Sequence, residues 1–411
     1  MNADDGRRTD EPLYTQRISV FYHKNLEGRP RRYVADTIMS EYDSIRPFLD
    51  HEVPSVIQRL VNSPELAVAA SELAMPRFLA NNIAGRTLTR LILLYKTRNL
   101  KTIRDCQKLV THYFDQVVAR SIDNLSVNGL ERLDPNKPYL FISNHRDILM
   151  DSSLINYLIQ QAGHDTCRMA VGDNLLSNSL AADLMRLNKS FIVERDVDGM
   201  RAYYRALTRT SGYIRHSLNE GVSVWIAQRE GRAKDGYDRT DPALLKMLLL
   251  AYRGEDSPLS SLLKEAQIVP VSVSYEVDPC GKKKARELVA IARDGEYEKS
   301  EHEDLQSMIL GLMGYKGRVH LNFARPINSV EDVEQLAERL DKDIVSNYRT
   351  FPTHRFAAKT LSGGQESEEA ATDKALVALK ADLAACASDE KTNLLQQYAN
   401  VWKNRQDLGI D

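Results

Sequence analysis

The chain has 411 residues, with 55 Lys plus Arg against 57 Asp plus Glu and 43% apolar residues, enough for a large core and one big domain with smaller appendages. A formal charge of −2 gives no overall field for nucleic acid, although basic residues gather in the first 33 positions and at Lys282, Lys283 and Lys284. Four scattered cysteines, Cys106, Cys167, Cys280 and Cys386, fit neither a disulfide framework nor a zinc site, and no run approaches 18 apolar residues; the expectation is a cytoplasmic protein without a signal peptide or spanning helix.

Residues 1–32 read as a basic arm around the short apolar run Ile18 to Tyr22. Residues 33–124 read as a helical domain, with one stripe at Val53, Val56, Ile57, Leu60 and Val61 and another at Leu88, Leu91, Ile92 and Tyr95. From Leu125 short apolar runs alternate with helical stretches, which predicts an α/β domain over 125–360. Its strands are expected at Tyr139 to Ser143, Arg168 to Val171, Ser190 to Val193, Val222 to Ala227, Ile268 to Tyr275 and Arg318 to Phe323. Helices are expected at Ser152 to Gln161, Met200 to Asn219 and Pro242 to Tyr252. Pro270 places its residue at the start or edge of a strand. Residues 361–411 read as a Gly-Gly-Gln linker and two terminal helices, Glu368 to Ala387 and Glu390 to Asp407.

Four strand ends carry the candidate chemistry. The run Ser143-Asn144-His145-Arg146-Asp147-Ile148-Leu149-Met150-Asp151 follows a strand and leads into a helix. A histidine there can act as a general base, with Asp147 or Asp151 to fix its tautomer, or it can bond a loop carbonyl while the aspartates cap the helix. In Phe191-Ile192-Val193-Glu194-Arg195-Asp196 a strand ends at Arg195, whose guanidinium suits a phosphate or a surface ion pair with Glu194 or Asp198. In Trp225-Ile226-Ala227-Gln228-Arg229-Glu230-Gly231-Arg232-Ala233-Lys234 three cations, Arg229, Arg232 and Lys234, follow a strand in a glycine-punctuated loop, either an anion cradle or a solvated turn. Ile268 to Glu276 is a strand expected to wall a pocket.

In order and spacing these blocks resemble those of the glycerolipid acyltransferases, the glycerol-3-phosphate and lysophosphatidate acyltransferase family, over about Leu125 to Asn328. The resemblance includes Ala170-Val171-Gly172-Asp173-Asn174-Leu175-Leu176 and Gly317-Arg318-Val319-His320-Leu321-Asn322-Phe323-Ala324-Arg325-Pro326-Ile327. The Phe-Ile-Val-Glu-Arg and Val-Ser-Tyr-Glu runs are similar to the glycerol-3-phosphate branch. It implies an acyltransferase-type mixed sheet flanked by helices, preceded by a helical domain and followed by two terminal helices. The family's first block has four residues between His and Asp, whereas here five separate His145 from Asp151. The orienting role therefore falls on Asp151 after a one-residue bulge, or on Asp147. The third block departs too: Arg229-Glu230-Gly231-Arg232 aligns with the family's Glu-Gly-x-Arg in two ways.

The implied reaction has His145 deprotonate an acceptor hydroxyl, which attacks the thioester of acyl-coenzyme A or an acylated carrier protein. Arg195, Arg232, Lys234 and Arg229 are the candidate holders of the acceptor phosphate, with Glu230 and Gly231 shaping the loop. No metal or bound cofactor is implied. The implied partners are the acyl thioester, a glycerophosphate or lysolipid acceptor and the inner face of a membrane, met by the stripe near Leu88 to Tyr95 and the basic arm. Other readings are a non-catalytic lipid- or partner-binding relative and a hydrolase using Ser143 or Ser152, although neither serine lies in a Gly-x-Ser-x-Gly elbow.

Overall fold

The computed structural model describes residues 39–74, 82–173, 179–300, 303–364 and 372–410. The arm 1–32, Asn174 to Leu176 and residues 365–371 of the linker lie outside the described residues. Glu41–Asp411 is one compact unit, and it carries everything that follows.

After the single turn Met39–Tyr42, the longer helices among the described residues are α1 Val53–Asn62, α2 Pro64–Ala74, α3 Ile83–Thr97 and α4 Ile103–Ser121. The first predicted stripe does face inward, with Val53, Val56 and Leu60 packing on Ile103, Cys106 and Leu187. A capping box, Thr102 with Asp105, starts α4 by satisfying end amides that no carbonyl can reach. The second stripe is different. Helix α3 buries only Gly85 and Thr89, and Leu88, Leu91, Ile92, Leu94 and Tyr95 stay exposed.

The α/β part runs β1 Ile122–Asn128, β2 Leu140–Ser143, α5 Met150–Gln161, β3 Arg168–Gly172, α6 Ser179–Leu187, β4 Ser190–Val193, α7 Met200–Asn219 and β5 Val224–Ala227. There follow α8 Pro242–Leu248, α9 Pro258–Ala266, β6 Ile268–Tyr275, α10 Gly281–Asp294, α11 Glu303–Met313, β7 Gly317–Phe323, α12 Val333–Asn347, α13 Pro352–Leu361, α14 Lys374–Ala385 and α15 Ser388–Asp407. Among the described residues seven strands form one sheet in the order β1-β7-β6-β2-β5-β3-β4. Its pairs are parallel except β6 with β7, so the sheet is mixed.

Both faces are covered, and alternate residues of each strand serve opposite layers. Leu140, Ile142, Val224, Ile226 and Ile268 pack under α7 to α9 and α12, whereas Phe141, Trp225, Val269, Val271 and Leu321 pack under α4 and α5. Each such buried side chain stabilises the fold by about 1.5–3 kcal/mol. This double burial gives the central strands their nearly continuous apolar runs and made them readable in the sequence.

Two features differ from the sequence-based expectation. Strand β1 was not foreseen, because a register shift between Ile122 and Asn124 breaks the period of two and only one of its edges is paired. Pro270 lies third in a central strand, not at a start or edge. Its carbonyl accepts from Ala324 N on the β7 side, so its missing N–H faces a stretch beyond Val271 and Phe323, where that ladder has already ended.

Candidate active site

Strands β2, β5 and β6 run side by side in parallel, so the segments leaving their carboxyl ends converge. Asn144, the residue after β2, is fully buried, and its carboxamide accepts from Val273 N at 2.8 Å and donates to Val273 O at 3.0 Å. This anchors the start of the turn that presents His145. The His145 ring lies edge-on to Trp225, with centroids 5.8 Å apart, and Trp225 Nε1 donates to Ser143 Oγ at 2.9 Å. Ser143 Oγ in turn donates to Asn144 O, and Ser152 Oγ to Leu149 O.

His145 Nδ1 is 2.8 Å from Asp151 Oδ2, and the Asp151 side chain is fully buried while that of His145 keeps 14% of its surface. The same Oδ2 accepts from Arg146 N at 2.6 Å and Asp147 N at 2.9 Å, and Oδ1 accepts from Tyr275 Oη at 2.7 Å. Burial alone would raise the Asp151 pKa, but the hydrogen bond and charge of His145, with the backbone and Tyr275 donors, hold it below the usual carboxylate value. An ionised Asp151 makes Nδ1 the protonated nitrogen and leaves the Nε2 lone pair as the basic site.

Asp147 does something else. Its Oδ1 accepts from Leu149 N at 3.0 Å and Met150 N at 2.9 Å, the end amides of α5, and its Oδ2 is buried without a hydrogen-bond partner among the described residues. Desolvation, then the negative charge of Asp151, raises its pKa. The extra residue between His145 and Asp151 is thus absorbed in a turn whose amides fold around Asp151. Helix α11 closes over this turn at Gly311, where an added Cβ would overlap Asp147 Oδ2. Gly311→Ala is expected to lower stability by about 1–3 kcal/mol in chemical denaturation, the usual cost of overpacking; an unchanged midpoint would show that the turn is loose.

The candidate anion-binding residues occupy distinct environments. Arg195 Nη1 donates to Glu230 Oε1 at 2.9 Å, an exposed pair that links the second and third blocks, and Glu194 pairs with Arg209. Lys234 Nζ bonds Glu287 of α10. Arg232 stands apart, since its Nη1 is buried and has no hydrogen-bond partner among the described residues. The neighbouring Ala233 N donates to His145 O at 2.8 Å, which ties the third-block loop to the histidine turn. Gly231 has φ +70° and open space where a side chain would lie. Arg229 and Glu230 line an open groove of ≈ 300 Å³ with Arg239, Thr240 and Asp241.

Several residues that hold this site were not singled out as site residues. Arg146 is buried, donates to Asp238 Oδ2 at 2.6 Å and to Gly236 O at 3.0 Å, and lies over the Tyr348 ring. Buried Lys284 reaches Arg146 O at 2.6 Å and also bonds Asp278. Asn144, Arg146 and Tyr275 sit inside quoted blocks and carried that much signal. Asp238 carried none and Lys284 stood out only as one of a run of lysines, because only the tertiary fold brings them to the turn.

A partly exposed histidine paired with a buried carboxylate thus lies at the carboxyl end of the mixed sheet, beside a loop whose Arg232 keeps a buried guanidinium nitrogen without a partner among the described residues. Residues 124–274 match the family model described as Acyltransferase, and this match lies within the stretch that resembles the glycerolipid acyltransferases. The human (Homo sapiens) dihydroxyacetone phosphate acyltransferase is 19% identical over 222 residues, 53% of this chain and 31% of that protein, so the chain matches about a third of that relative's length. The crystal structure of the 1-acyl-sn-glycerophosphate acyltransferase PlsC from Thermotoga maritima is similar over 77% of this chain and 97% of that one, at 13% identity and a TM-score of 0.35.

Proposed function

We propose that the protein is an O-acyltransferase that moves a fatty acyl group from an acyl-coenzyme A or acyl carrier protein thioester to a hydroxyl of glycerol 3-phosphate or 1-acylglycerol 3-phosphate. The observation that carries this reading is the His145–Asp151 pair at 2.8 Å, with the carboxylate fully buried and bonded on both oxygens. Nε2 takes the proton of the acceptor hydroxyl as its oxygen attacks the thioester carbonyl. The tetrahedral intermediate then collapses, the C–S bond breaks, and the leaving sulfur receives the proton from the imidazolium. No acyl-enzyme forms. Holding acceptor and base together supplies much of the rate, and base catalysis typically adds about 10²–10⁴-fold.

A phosphorylated acceptor is supported by Arg232, whose buried Nη1 lacks a partner; the name of the human relative also specifies a phosphate-bearing acceptor. The test is thiol release from a long-chain acyl-coenzyme A or acyl carrier protein with glycerol 3-phosphate, lysophosphatidate or other lysolipids. Acceptor-dependent release is expected. Tight acceptor binding with no release would make the protein a binder.

We also propose that α3 meets a membrane surface, with the protein on the cytoplasmic face. Leu91 and Tyr95 are 57% and 65% exposed. Residues 82–104 contain Arg86, Arg90, Lys96, Arg98, Lys101 and Arg104 and no acidic residue, a composition that favours anionic lipid. Among the described residues no helix is long and apolar enough to cross a bilayer. Leu91→Glu with Tyr95→Glu is expected to weaken sedimentation with anionic vesicles at least tenfold while leaving transfer to water-soluble glycerol 3-phosphate intact. Unchanged sedimentation would reject α3 as the contact.

A further inference from the structure

Helix α15 reaches the candidate site from the far end of the chain. Between β5 and α8 the third-block loop has no helix or strand, so its buried backbone groups need partners elsewhere. On one side they come from the histidine turn: Ala233 N donates to His145 O at 2.8 Å, and Arg146 Nη2 donates to Gly236 O at 3.0 Å. On the other they come from α15. Asn400 Nδ2 donates to Asp235 O at 2.8 Å and Asn404 Nδ2 to Asp238 O at 3.3 Å.

These two asparagines are four residues apart, hence on one helix face. One turn earlier on that face, Gln397 Nε2 donates to Gly281 O at 3.1 Å at the start of α10. The contact extends to the backbone. Gly236 has φ +88°, and an added Cβ there would overlap the carbonyl oxygen of Gln397, so helix and loop touch without an intervening side chain. A small pocket of ≈ 20 Å³ lies between Arg146 and Tyr275 on the site side and Gln397, Tyr398 and Val401 of α15. Arg232 thus sits on a loop gripped from two sides, by the histidine turn and by α15.

We propose that α15 is a positioning element of the active site: Asn400 and Asn404 fix the path of Asp235 to Asp238 and thereby hold Arg232 where the anionic group of the acceptor binds. The proposal rests on the acyl-transfer reading for its kinetic consequence but not for its structural one. The test uses the whole 411-residue chain with Asn400→Leu and Asn404→Leu, singly and together, which keep the branched side-chain shape and remove the donors. Hydrogen exchange at the amides of residues 232–239 should quicken at least tenfold in the double variant, with β2 and β5 still protected. The Michaelis constant for the phosphorylated acceptor should rise about tenfold, with that for the acyl thioester and kcat changing less than twofold.

A merely structural helix would move kcat, both Michaelis constants and the melting temperature together, and that pattern would overturn the proposal. Unchanged exchange in residues 232–239 would also overturn it, whatever the kinetics. If the wild-type protein transfers to no phosphorylated acceptor, the acyl-transfer reading fails by itself, and faster exchange confined to the loop still supports α15 as its positioning element. Gly236→Ala probes the contact from the loop side: because its Cβ meets backbone, it should reproduce the faster exchange.

Discussion

His145→Ala is expected to lower acceptor-dependent transfer by about 10²–10⁴-fold, the usual contribution of a positioned general base, while the fold melts as before. The side chain is held at the rim by Asp151 and the edge of Trp225 and fills no deep core. A variant that keeps more than a tenth of the wild-type rate would remove His145 from the mechanism. The carboxylates sharpen this test. Asp151→Asn places an amide where Oδ2 now meets His145 Nδ1 and the amides of Arg146 and Asp147. The carboxylate that selects the Nδ1–H tautomer is lost, and the rate should fall by about 10²-fold or more. Asp147→Asn keeps an oxygen for the amides of Leu149 and Met150, so its rate should stay within about tenfold of wild type. Measured kcat for the two variants ranks the roles; the reverse order would transfer the orienting function to Asp147.

The parts of the fold that the sequence announces are those buried on both faces. Ser190–Val193 and Ile268–Tyr275 match their expected bounds, and Met200–Asn219 shows its helical period throughout. Helices α9 to α13 were not anticipated, since they lie among charged stretches whose apolar stripes are interrupted. The predicted terminal helices correspond to Lys374–Ala385 and Ser388–Asp407, but nothing local shows that the second packs on the third-block loop. The same limit applies at the site. The first-block spacing left Asp147 and Asp151 as alternatives, and the fold distinguishes their environments by wrapping the turn amides around one and setting the other at the start of α5. Tyr275 reads as a strand residue; its bond to Asp151 exists only because β6 lies beside β2.

The acceptor phosphate is the second large expected effect, and it separates Arg232 from Arg195. Both are candidate phosphate ligands, but Arg195 already faces Glu230 at 2.9 Å in solvent, whereas Arg232 has a buried guanidinium nitrogen with no partner among the described residues. A buried donor without an acceptor costs free energy until a ligand supplies one. A charged hydrogen bond contributes about 1.5–3 kcal/mol, so Arg232→Ala should raise the Michaelis constant of a phosphorylated acceptor by roughly one to two powers of ten. The donor's constant should change little. Arg232→Lys should recover part of the loss, because an ammonium keeps the charge but not the two-pronged fit to phosphate. Arg195→Ala should change the acceptor constant by no more than about threefold, as befits an exposed ion pair. If Arg195→Ala has the larger effect, the Glu230 pair opens on binding and Arg195 is the phosphate ligand; if neither variant alters the acceptor constant, the acceptor is not held through a phosphate.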